Sequence, residues 1–121
     1  MDTMAKNFEN LMIWQKSIDF AADVYKVTRG FPKEEVYGLT SQIRRAVVSI
    51  SSNVAEGAGR GTKKEFSHFA SIAGGSLNEV ESQLHIAFRL GYLKKDSFEL
   101  LISNAVELGK ILNGLQNYLR K

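Results

Sequence analysis

Residues Tyr37–Gly61 read YGLTSQIRRAVVSISSNVAEGAGRG. Within this stretch Leu39, Ile43, Ala46, Ile50, Asn53 and Gly57 recur every three or four positions, the spacing that lines one face of an α-helix. The same helix carries twin arginines, Arg44 and Arg45, several serines, and Asn53 on the apolar face. Gln42, Arg45, Ser49, Ser52 and Glu56 form a polar ridge on one flank, and Arg44 lies about 100° round from Arg45. The glycine-rich, basic segment Gly57-Ala58-Gly59-Arg60-Gly61 then ends the helix, because glycine costs about 1 kcal/mol per helical position relative to alanine. One apolar stripe with a heavy polar load predicts a helix that is packed and recognised specifically.

Outward from this helix the pattern repeats. Gly30 and Pro32 stop a first helix expected from about Asn7 to Arg29. The second is expected from Lys33 to Gly57. Thr62 followed by Glu65 has the form of a capping box and opens a third helix, Lys63 to Leu90, with Gly91 as its stop. Asp96 and Glu99 repeat the capping arrangement before a fourth, Ser97 to Arg120, whose stripe runs Leu101, Ala105, Leu108, Leu112, Leu115, Leu119. Helices of about 24 residues are about 36 Å long. Their connections are only a few residues, so neighbours must run antiparallel. The expected fold is all-α, an antiparallel up-down-up-down four-helix bundle forming one domain.

Helix 1 offers two stripes. Leu11, Trp14, Ile18, Ala21 and Tyr25 are taken as its inner seam. Ile13, Phe20, Val24 and Val27, centred about 130° away, are taken with Ile72 and Ile86 of helix 3 as a subunit interface. The alternative is a wide core face.

Composition narrows the function. Of 121 residues 44% are hydrophobic, the formal net charge is +3, and there is no cysteine, which excludes a disulfide framework, a thiolate metal site and a cysteine nucleophile. No apolar run spans a bilayer and the N-terminus lacks a signal-peptide layout, so a cytoplasmic protein is expected. Glu65-x-x-His68 is a lone Glu-x-x-His unit, and His85 has Glu81 four residues before it rather than three; a di-iron bundle needs two such units. No nucleophile elbow or phosphate-binding loop occurs. A non-enzyme with no cofactor and no metal is expected.

The charges gather at the bundle ends. One end brings together Lys6, Arg60, Lys63, Lys64, Arg120 and Lys121, the more positive set and the one suited to a phosphate backbone. No aromatic platform for base stacking is expected beside it. Arg44 and Arg45 are either further nucleic-acid contacts or ion-paired with Glu79 and Glu81 of helix 3. Asn53, Glu56, Glu79 and Glu81 are taken as structural polar groups, with Asn53 expected to bond to backbone or to a side chain such as Trp14.

At Leu11–Ser17, Tyr37–Ala46, Ser49–Gly57 and from Glu65 to Glu81 the chain resembles the bacterial four-helix bundle proteins encoded in intervening sequences of 23S ribosomal RNA genes, the S23-type proteins. One departure is Ser51, where relatives often carry proline. The resemblance implies a homopentamer with a central channel. It extends to the accessory variability determinant of diversity-generating retroelements, which binds nucleic acid and a reverse transcriptase through a basic surface. The function expected is therefore oligomeric, non-catalytic nucleic-acid binding, RNA rather than DNA. The alternative is a homo-oligomeric protein-interaction scaffold.

Overall fold

The computed structural model describes residues 8, 9 and 11–121. Four helices follow one another: α1 Met12–Thr28, α2 Leu39–Gly59, α3 Lys63–Arg89 and α4 Lys95–Leu119, with a 3-10 turn at Lys33–Glu35 between α1 and α2. Each helix packs on its neighbours in the order α1–α2–α3–α4–α1, and among the described residues the backbones of the diagonal pairs do not approach closely. This is the expected antiparallel up-down-up-down bundle. Its centre is aliphatic: Val24, Ile43, Val47, Ile50, Val54, Val80, Leu84, Leu108 and Leu112 are essentially sealed from solvent. Burial of a side chain of this kind contributes about 1.5–3 kcal/mol, so these residues dominate the favourable side of folding.

The inner seam of α1 differs from the expected one. Ile13, Ser17, Phe20, Val24 and Thr28 face the core, while Ile18 and Tyr25 are 39% and 37% exposed. The residues expected at a subunit interface on this helix are therefore core residues: Ile13, Phe20 and Val24 are at most 3% exposed, and Val27 packs against the core. The true seam looked broken because it contains two hydroxyl residues. Ser17 Oγ donates to the Ile13 carbonyl at 2.7 Å and Thr28 Oγ1 to the Val24 carbonyl at 2.8 Å. Bonding back to the preceding turn satisfies both groups and lets them be buried as small apolar residues would be.

Helix α2 begins six residues later than expected. The chain makes a 3-10 turn, and the Glu35 carboxylate then accepts the Leu39 N–H at 3.1 Å, capping α2. The other carboxylate oxygen accepts the Tyr92 hydroxyl at 2.9 Å, so one side chain ties the α1–α2 corner to the α3–α4 corner. Thr62 caps α3 as expected, its Oγ1 accepting the Glu65 N–H at 3.1 Å. Asp96 does not cap α4. The N-cap position is Lys94, which makes no side-chain cap, and Asp96 sits in the first turn, where its charge complements the helix dipole.

The closest seam is that between α2 and α3. A Cβ on Gly57 would lie 2.8 Å from Phe69 Cβ and 2.9 Å from Phe66 Cδ1, so glycine alone permits this approach. Further along, Ser76 Oγ donates to Ser49 Oγ at 2.9 Å, and Asn53 Nδ2 donates to the Ser49 carbonyl and to Ser49 Oγ at 2.8 and 2.9 Å. Asn53 is half-buried and bonds to backbone as expected, within its own helix rather than to Trp14.

Candidate nucleic-acid interface

The bundle has two unlike ends. The end holding the 3-10 turn is closed by the Glu35–Tyr92 hydrogen bond, by Phe31 against Tyr92 at 5.5 Å between ring centroids, and by Phe88 stacked on Phe98 at 4.3 Å. The carboxylate beside it holds the Tyr92 hydroxyl pKa above its ordinary value, chiefly because ionisation would remove the donated hydrogen bond, with desolvation and the nearby negative charge of Glu35 and Glu34 adding to the effect.

The opposite end is formed by the start of α1, the α2–α3 turn and the end of α4. Lys63, Lys64, Arg120 and Lys121 are all exposed there. Arg60 is exposed too, but its charge is engaged: Nε lies 2.9 Å from Glu56 Oε2, Nη1 lies 3.8 Å from Glu65 Oε2, and the guanidinium sits 5.0 Å from the Phe69 ring centre. Exposed ion pairs of this kind contribute about 0–1 kcal/mol, so the arrangement locates Arg60 without locking it. Glu56 thus holds Arg60. Lys6 lies outside the described residues.

Arg44 is not part of this surface. Its Nε donates to Thr28 Oγ1 at 2.9 Å, its Nη2 to the Tyr25 carbonyl at 3.3 Å, and its guanidinium lies 4.6 Å from the Tyr25 ring centre. It therefore serves the C-terminal turn of α1, where a cation is favoured by the exposed carbonyls. Arg45 is exposed on the outer face of α2. Among the described residues no ion pair joins either arginine to Glu79 or Glu81. Glu79 is exposed, and Glu81 lines a cleft between α3 and α4. Ile72 and Ile86, expected at an interface, are 40% and 47% exposed on α3.

The sequence reading missed Tyr118. This residue is 60% exposed at the basic end, and Lys63 Nζ lies 4.8 Å from its ring centre. It forms one wall of a cleft of about 320 Å³ whose other walls include Leu11, Gly57, Ala58, Phe66 and Leu115. An aromatic platform therefore does accompany the lysines. The signal was present in the sequence: Tyr118 precedes the inward-facing Leu119 and so points about 100° away from it. An exposed cation–π contact contributes about 0.5–1 kcal/mol, whereas a base stacked on an aromatic ring contributes about 1–3 kcal/mol.

Comparison with known proteins agrees with the fold. A family model described as 23S rRNA-intervening sequence protein matches residues 9–114. A crystal structure from Bacteroides thetaiotaomicron VPI-5482, described as a protein with unknown function from the S23 ribosomal protein family, superposes with a TM-score of 0.78 at 24% identity, covering 87% of this chain and 98% of that one. No curated protein matches the sequence.

Proposed function

Starting from the premise that the chain belongs to the 23S rRNA-intervening sequence protein family, we propose that it is a non-catalytic, oligomeric RNA-binding protein whose contact surface is the basic bundle end. The observation that carries this reading is the cluster of exposed Lys63, Lys64, Arg120 and Lys121. Of the nearby acids, Glu56 and Glu65 are engaged by Arg60, and the Glu65 carboxylate also accepts the Thr62 hydroxyl, while Glu9 is exposed. Four cations on one end attract phosphates at long range and release counterions on binding. Assembly side by side, as a homopentamer, multiplies the effect by setting the basic ends in a ring; the exposed Ile72 and Ile86 on α3 offer apolar surface for it.

Binding of a structured RNA, followed by fluorescence anisotropy across a salt series, tests the reading. Affinity is expected to fall steeply with salt, and the double substitution Lys64→Ala/Arg120→Ala to flatten the slope by about 1.5 to 2. No binding at low salt, or binding that ignores salt, refutes it. The rival reading is a protein-interaction scaffold, favoured by the engagement of Arg44 and Arg60 within the protein itself. A pulldown that survives nuclease treatment supports that alternative.

A further inference from the structure

We propose that the cleft beside Tyr118 takes one unpaired base of the bound RNA, stacked on the tyrosine ring, with the lysines at the cleft mouth holding the flanking phosphates. The inference rests on the reading that the basic end binds RNA, and it adds a preference for unpaired over paired strands.

Three observations converge on it. First, the cleft is apolar and open, and its volume of about 320 Å³ lies at the small end of ligand pockets, which suits a single flat ring system better than a larger ligand. Second, its wall includes an exposed aromatic ring already holding a cation, Lys63 Nζ, on its face. Stacking of a base outweighs that exposed cation–π contact, so an incoming base displaces the ammonium, which is then free to meet the adjacent phosphate. Third, positive charge accompanies the cleft: Lys63 lines it, and Lys64, Arg120 and Lys121 are exposed at the same end of the bundle. An apolar slot with a rim of positive charge complements a nucleotide, whose base is flat and stackable and whose phosphate is anionic. A base inside a duplex is stacked on its neighbours and cannot enter.

The test compares a single-stranded RNA with a perfect RNA duplex of equal charge, for the unaltered protein and for Tyr118→Ala and Tyr118→Trp. Tyr118 is exposed, so both variants are expected to fold, and circular dichroism checks this. The unaltered protein is expected to prefer the single strand. Tyr118→Ala should weaken single-strand binding about ten-fold and leave duplex binding and its salt slope unchanged. Tyr118→Trp should retain the preference, and its added indole emission should be quenched by the single strand. Equal binding of both RNAs, or a single-strand affinity indifferent to Tyr118→Ala, overturns the stacking inference while leaving the basic-end reading in place. Absence of binding to either RNA at low salt overturns both.

Discussion

Substituting Gly57→Ala sets two well-measured effects against each other. Alanine is the better helix former by about 1 kcal/mol, so on propensity alone the variant would be more stable. The structure predicts the opposite. The new Cβ would stand 2.8 Å from Phe69 Cβ and 3.3 Å from Phe66 Cα, atoms anchored to the backbone of α3 that no rotamer change can move away. Carbon atoms pack at about 3.5–4.0 Å, so α2 and α3 must part locally by about 0.7 Å or more. A gap of that size forfeits a quarter to a half of the dispersion energy of each contact it opens, and overpacking of this kind costs about 1–3 kcal/mol. Setting this against the propensity gain leaves a net loss of up to about 2 kcal/mol, equivalent to a Tm lower by up to about 8 °C for a chain of this size. The control is Gly75→Ala on α3, where a Cβ meets nothing within 4 Å; there propensity acts alone and stability should rise by up to about 1 kcal/mol. Urea titration at one protein concentration reads both variants, with a lower midpoint at unchanged slope expected for Gly57→Ala. If Gly57→Ala proves as stabilising as Gly75→Ala, the close approach of α2 and α3 is not the reason for the glycine.

Three further outcomes follow from the contacts described. Arg44→Lys keeps the charge but loses the planar fork that reaches both Thr28 Oγ1 and the Tyr25 carbonyl; thermal unfolding should show a loss of about 0.5–1.5 kcal/mol, while RNA affinity at low salt stays within a factor of two. The raised Tyr92 pKa makes the Glu35 latch a pH-dependent contribution to stability: it is fully present below the ordinary tyrosine pKa of about 10 and is lost as pH rises through the higher folded value. Tyr92→Phe should lack this alkaline loss, which a comparison of urea midpoints between pH 8 and pH 11 detects. For the proposed assembly, Ile72→Asp combined with Ile86→Asp places charge on the exposed apolar flank of α3 and should yield monomer in light scattering without lowering helix content; an unaltered protein that is already monomeric refutes the assembly, and a doubly substituted protein that stays oligomeric refutes the use of this flank for it.

How much of this was legible before the structure depended on the range of the interaction. The Thr62 cap joins residues three apart, and its signature is local. Gly57 could be recognised because a glycine on an apolar stripe has few uses other than close approach. The Glu35–Tyr92 bond spans 57 positions, and neither residue carries any mark of the other. The seam of α1 was misplaced for a different reason. Hydrophobic periodicity treats Ser17 and Thr28 as outward-facing, yet a helical hydroxyl can satisfy itself on the turn before it, so polarity by sequence and burial by structure part company.

The same physics bears on where function can sit in this bundle. A polar side chain is evidence of recognition only when the protein itself does not satisfy it. Asn53 is used by Ser49, Arg44 by the end of α1, Arg60 by two carboxylates, and Ser76 by the opposite helix. Arg44, Ser49 and Asn53 are thereby consumed in fixing α2 and its packing on α1 and α3, and a ligand competing for them would have to break that packing, whereas Gln42, Arg45 and Ser52 of the ridge stand exposed. The basic end is built otherwise. Among the described residues Lys63 rests on an exposed ring at an open apolar cleft, and Lys64, Arg120 and Lys121 stand in solvent at the same end. Engaging them disrupts little that holds the fold together, so binding energy gained there goes to affinity rather than to repairing the fold, which is why the proposed RNA contact is assigned to that end rather than to Arg44.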